Sequence, residues 1–155
     1  MSEEQDSNST VAAASSAAYR VVVGVDGSQP SVGALKAAAR IATDSGATLV
    51  AVVAWQMPPF EGTSPSGYSP EDDARRILAE AEAAAFGGEL PARYERTFVD
   101  HPPVAALIDE SRNADLVVVG TRGHGGVIGM LLGSVSAAVA QYAHCPVLIH
   151  RPRTS

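Results

Sequence analysis

Arg20-Val21-Val22-Val23-Gly24-Val25-Asp26-Gly27-Ser28 is the stretch that decides the fold. Its first six residues form a short, largely β-branched run without polar alternation. Such a run reads as a strand buried on both faces, as in a parallel sheet. Asp26-Gly27-Ser28 then reads as a turn. Pro30 suits the first turn of a helix, with Ser28 or Gln29 near its cap. Val32, Leu35, Ala38, Ala39 and Ala42 recur at helical spacing, and Gly46 suits the stop. Thr48 to Trp55 is a second solid apolar strand.

The alternation continues outward from there. Residues 57 to 69 form the longest loop, with the character of a lid or binding loop. Ser69-Pro70-Glu71-Asp72 is a helix start with a cap, a Pro and two acids. Ala74, Ile77, Leu78, Ala81, Ala84 and Ala85 mark its apolar face, and Gly87-Gly88 ends it. Tyr94 to Val99 alternates, which places it at a sheet edge. Pro102-Pro103 opens a third helix, with Val104, Leu107 and Ile108 facing inward. Asp115 to Gly120 is another solid strand. Ser134 is expected to cap a last helix with Val135, Ala138, Val139 and Tyr142 inward, before a final strand from Pro146 to His150. Five strands separated by helices imply an open, doubly wound α/β domain: one parallel sheet with helices on both faces. Ligands of such sheets bind beyond the carboxyl ends of the strands, where the winding direction reverses. That points to Gly24 to Gly27 and to Val119 to Gly123.

Composition narrows the functional classes. The chain has 155 residues, 46% hydrophobic and 18% charged, as expected of one domain with a core. We place that domain at 19–152, after a disordered, acidic tail at 1–18. The net charge, 11 − 17 = −6, argues against nucleic-acid and polybasic membrane binding. The single lysine, Lys36, follows no glycine, which excludes a P-loop of the G-x-x-x-x-G-K-[ST] kind. One cysteine, Cys145, allows no intrachain disulfide and no cysteine-based zinc site, and reads as a core or near-core thiol. His101, His144 and His150 show no metal-pair spacing, so no metal site is expected. No apolar run approaches a membrane span, and Glu3, Glu4 and Asp6 stand where a signal peptide is positive. The expectation is a cytoplasmic protein.

The informative cluster is Gly120-Thr121-Arg122-Gly123-His124-Gly125-Gly126, followed by an apolar stretch and then Gly133-Ser134-Val135-Ser136. Glycines let the backbone approach an anion closely. Gly133-Ser134 sits where the last helix begins, and free N–H groups and the helix dipole there favour a phosphate. The Ser134 and Ser136 hydroxyls add donors. Arg122 can supply the charge that the missing P-loop lysine cannot. Asp26 reads either as a ligand contact or as the shaper of an Asx turn. His124 has no local carboxylate partner and reads as phosphate-adjacent rather than as a base.

These residues resemble the universal stress protein family. Gly120, Gly123, Gly133 and Ser134 match its ATP-binding pattern G-x2-G-x9-G-[ST]. Val22 to Ser28, Ala114 to Gly120 and Cys145 to Leu148 are similar to its first, fourth and fifth strands. The resemblance implies the strand order 3-2-1-4-5. It also implies that Asp26 lies near the adenosine, over a wall of Gly24 and Val25. Val53 and Ala54 would meet the adenine. Gly120, Thr121, Arg122, Gly123, His124, Gly125 and Gly126 would wrap the ribose and phosphates. Gly133, Ser134, Val135 and Ser136 would hold the phosphates.

The implied ligand is ATP, with or without Mg2+, or a related adenine nucleotide. The family commonly dimerises through its last strand, here Val147 to His150. The implied role is regulatory or protective in stress response. No catalytic residue stands out, because phosphoryl transfer wants a positioned metal and a base or water-orienting group; at most a slow ATPase is expected. Cyclic AMP in the same pocket, and a dimeric interaction module that binds no nucleotide, remain alternatives.

Overall fold

The computed structural model describes residues 19–56, 67, 69–122 and 132–153. Nine elements alternate along the chain. They are β1 (Arg20–Gly24), α1 (Gln29–Ser45), β2 (Thr48–Trp55), α2 (Pro70–Phe86), β3 (Tyr94–Asp100), α3 (Pro103–Ser111), β4 (Leu116–Gly120), α4 (Ser134–Tyr142) and β5 (Val147–His150). The sheet is five-stranded and parallel, in the order β3-β2-β1-β4-β5. The expected order and winding are therefore found. β1 lies between β2 and β4, with Val22 paired to Val50 on one side and to Val117 on the other.

Strand periodicity divides the core in two. Val21, Val23, Leu49, Ala51, Val53 and Val118 face α1 and α2, where they meet Leu35, Ala38 and Leu78. Val22, Val50, Val52, Val117 and Val119 face the other way, onto Leu107 of α3 and Val139 of α4. Val21, Leu35, Leu49 and Val118 are 0% exposed. Solid apolar strands are thus explained by burial on both faces.

The helix ends follow from local chemistry. Ser28 caps α1, its Oγ accepting from the Ser31 N–H at 3.3 Å. Gly46 ends α1 in the left-handed region, at φ 70°. Ser69 caps α2 by accepting from the Asp72 N–H at 3.2 Å. Edge strand β3 is tied to α2 by an ion pair: Arg96 Nε and Nη2 donate to Glu82 at 2.7 and 3.2 Å.

Two inward-facing positions and one helix cap need correction. Tyr142 is 58% exposed, because α4 turns only Ser136 and Val139 fully into the core. Ala84 is exposed, while Ala85 packs against the core and Glu82 is buried. The stripe follows 74, 78, 81, 82 and 85, so Ala83 and Ala84 point away. Ser134 is the first residue of α4 and Gly133 is its cap, without a side-chain cap hydrogen bond.

Cys145 is half-buried and packs against the α3–α4 side of the core. Burial, and then the Asp115 carboxylate, push its pKa above the usual thiol value. Less thiolate at a given pH means slower alkylation. Iodoacetamide at pH 8 should therefore modify Cys145 more slowly than it modifies free cysteine, with the pH–rate midpoint displaced upward. A rate equal to that of free cysteine would contradict this burial. Leu78→Ala should destabilise the fold by about 2–5 kcal/mol. Tyr142→Ala should change stability by less than about 0.5 kcal/mol, as for an exposed side chain. Denaturant titration of the two variants checks both values.

Candidate functional site

The winding reverses between β1 and β4. α1 leaves β1 toward one face, and α4 leaves β4 toward the other, so a crevice opens at the carboxyl ends. A cavity of about 280 Å³ lies there. Its two ends differ in chemistry. Toward β2 and α3 it is apolar, walled by Val52, Ala54, Pro103 and Leu107. Toward β4 and α4 it gathers Arg122, Ser134, Ser136, Gly120 and Gly133 beside the apolar Val119 and Val135, so the polar groups of this side lie at this end. Gly24, Val25 and Asp26 run along the middle.

Asp26 does two things at once. Its Oδ1 accepts from the Ser28 N–H at 2.9 Å and from the Ser28 hydroxyl at 2.5 Å, which makes it the Asx-type shaper of the turn. It is also the one carboxylate among the described lining residues. Ser31 supports this corner. Its Oγ donates to the Ser28 carbonyl at 3.0 Å and accepts from the Asp26 N–H at 3.3 Å.

The polar end is built on the Thr121 carbonyl. That oxygen accepts from the Gly133 N–H at 2.6 Å and from the Ser136 hydroxyl at 3.0 Å. Residues 121 and 133 are therefore pinched together at the base of the intervening segment. The first helical bond of α4 runs from the Ala137 N–H to the Gly133 carbonyl. The N–H groups of Ser134, Val135 and Ser136 have no acceptor inside the helix, as in any first turn. All three residues line the cavity, so donors and the positive end of the helix dipole lie at its polar end.

Most of the expected positions therefore come together. Gly24, Val25, Asp26, Ala54, Gly120, Arg122, Gly133, Ser134, Val135 and Ser136 all line the cavity. Thr121 instead lies buried beside it and contributes its carbonyl to the pinch. The Ser136 hydroxyl is directed at backbone carbonyls, so what Ser136 offers the cavity is its N–H. Gly123, His124, Gly125 and Gly126 lie outside the described residues. Val53 is corrected: it packs on the α1–α2 side of the sheet, opposite the cavity, as Trp55 does. Period two in β2 puts Val52, not Val53, on the face shared with Ala54. Ser31, Pro103 and Leu107 complete the lining and were not anticipated; Val119 also lines it, at the strand end the sequence pointed to. Leu107 needed the docking of α3, which the sequence does not display. Among the described residues, no group of three His, Cys, Asp or Glu side chains is gathered for a metal.

The family model described as "Universal stress protein family" matches residues 18–151. The chain belongs to this family. A universal stress protein of Mycolicibacterium smegmatis is 39% identical over 137 residues, covering 86% of this chain and 46% of that protein. One from Mycobacterium tuberculosis is 38% identical over 132 residues, covering 84% of this chain and 44% of that protein. The chain thus spans about half the length of the curated relatives it matches. Among solved structures, a universal stress protein in complex with cAMP superposes with a TM-score of 0.62 at 35% identity, covering 86% of this chain and 98% of that one.

Gly120 has a packing role of its own at this cavity. A Cβ there would stand 2.8 Å from the backbone C and O of Pro30, at the start of α1. Backbone cannot yield as a side-chain end can. Gly120→Ala should therefore cost about 1–3 kcal/mol by overpacking. Guanidinium titration measures it, and a loss near zero would show that α1 can shift freely.

Proposed function

We propose that this universal stress protein binds an adenine nucleotide, ATP in the first instance, in the cavity at the β1–β4 crevice. One observation carries the reading: a single cavity is apolar at one end and edged by a helix N-terminus and an arginine at the other. A nucleotide has the same polarity. The base lies toward Val52, Ala54 and Pro103. The phosphates lie toward Arg122 and the N–H groups of Ser134 to Ser136. About 280 Å³ is at the small end of ligand cavities, roughly 300–1,000 Å³, and suits a nucleoside whose phosphates project outward. Asp26 is the residue present that fits a divalent cation travelling with the phosphates.

Binding serves regulation or protection rather than turnover. The protein works as a homodimer through β5. Val147 to His150 form an outer strand without an acidic or permanently basic side chain, and Leu148 is 36% exposed. The opposite edge, β3, carries exposed Glu95 and Arg96, charges of the kind that discourage strand addition. Among the described residues no helix is long and apolar enough to cross a membrane. We place the working protein in the cytoplasm.

A second reading has its own support. The solved relative at 35% identity is a complex with cAMP, and a cyclic monophosphate needs only the inner part of the polar end. The two readings separate experimentally. The purified protein is denatured and its supernatant analysed by ion-pair chromatography with mass detection. ATP and cAMP are then titrated calorimetrically into nucleotide-free protein. ATP in the extract, and tighter binding of ATP than of cAMP, is the expected result. A blank extract with no heat from either ligand would leave the fold as an interaction module. Arg122→Ala should weaken ATP about tenfold, roughly 1.4 kcal/mol, and leave adenosine unchanged. Equal losses for both would move Arg122 away from the phosphates.

A further inference from the structure

Leu107 is the largest aliphatic side chain among the described cavity-lining residues, and its position is set by an absence. A Cβ built on Gly24 would lie 2.8 Å from Leu107 Cδ1, 3.3 Å from Cδ2 and 3.6 Å from Cγ. The isobutyl group of α3 is therefore seated in the notch that the missing side chain leaves on β1. The residue is 4% exposed and packs with Val22, Val52, Val117, Val119 and Val139, each 0–4% exposed. Close-packed interiors of this kind do not yield to a pushing ligand. Leu107 also lines the cavity, beside Val52 and Ala54.

We infer that Leu107, held in the Gly24 notch, is a specificity-determining residue that sets how large a base the cavity accepts. The inference rests on the nucleotide reading above and goes further: the ligands admitted are nucleotides with an unenlarged base. A bulky substituent directed at Leu107 meets a wall with no space behind it. Filling the notch would drive the isobutyl group toward the ligand and shrink the cavity. Truncating Leu107 would open it. A single methylene in an apolar pocket discriminates about 10–200-fold, so a ring-sized group at a rigid wall has at least that leverage.

The test uses the full chain and four ligands: ATP, and ATP bearing a benzyl-sized group on C2, on N6 or on C8. Dissociation constants are measured by calorimetry for wild type, Leu107→Ala and Gly24→Ala. Wild type should bind ATP and disfavour the analogues at least tenfold. Leu107→Ala should cut that ratio about tenfold or more for the analogue whose substituent points at residue 107. Gly24→Ala should weaken ATP and leave the discrimination intact. Should Leu107→Ala fail to fold, Leu107→Val gives the same direction at smaller amplitude. Ratios within twofold of wild type for all three analogues, with ATP still bound, would overturn the inference and spare the nucleotide reading. Absence of ATP binding to wild type would overturn that reading and this inference together.

Discussion

The constraint on which the rest depends is that β1 must satisfy two parallel neighbours while its chain leaves in only one direction. β1 pairs with β2 on one side and with β4 on the other. The connection through α1 steps toward β2, and α2 continues the same way to β3. The connection through α3 must step back across β1 to reach β4. Right-handed crossovers then put α1 and α2 on one face and α3 and α4 on the other, as the two core clusters record. At the β1–β4 boundary the segments after the strands diverge to opposite faces. No element of the winding covers that boundary, so the crevice is a consequence of topology and not of any one residue.

The glycines there serve packing as much as ligand approach. Read in sequence, Gly24 stands as backbone wall beneath the adenosine and Gly120 as backbone close to an anion. In the structure each is required by a neighbour across the fold. Gly24 receives the end of Leu107, and Gly120 lets the start of α1 lie against β4. The helix that carries Asp26 and Ser28 at its entry can approach the sheet only because position 120 has no side chain. Site geometry and core packing are thus the same contacts at these two positions. A substitution there is felt in stability before it is felt by a ligand.

Legibility in the sequence followed the range of the interaction. β1, β2 and β4 were readable because burial on both faces leaves runs such as Leu116 to Val119 with no polar interruption. Ser28, Ser69 and Gly46 were readable because capping is satisfied within a few residues. The end of the sheet that carries the cavity was readable from topology, and ten of the expected residues do meet there. What failed needed relations across the chain. Val53 was expected at the adenine, although parity with Ala54 puts Val52 on the cavity side. Tyr142 was turned inward because an apolar ring at helical spacing looks like core. α4 is nine residues long, and its last residue, Tyr142, lies past Val139 with its ring 58% exposed. Leu107 was read as core, correctly, without any sign that the same side chain also walls a cavity.

The helix entries make a final comparison. α1 and α2 begin on serines whose side chains accept one of the first N–H groups. α3 begins with Pro102 and Pro103, which removes donors instead of capping them. α4 does neither. Its cap is Gly133, whose own N–H is turned back to Thr121, and Ser136, the one buried hydroxyl in its first turn, donates to the same carbonyl. A hydroxyl used as a donor toward Thr121 anchors the turn without filling its acceptor demand. The first-turn N–H groups of α4 therefore keep their need for acceptors while their backbone is held rigidly in place. Among the described residues α3 also starts at the cavity, through Pro103, without a capping side chain, but α4 is the helix whose first three residues, Ser134 to Ser136, all line it. An oxygen-rich anion satisfies that need better than water, because the donors are already oriented and the dipole adds to them.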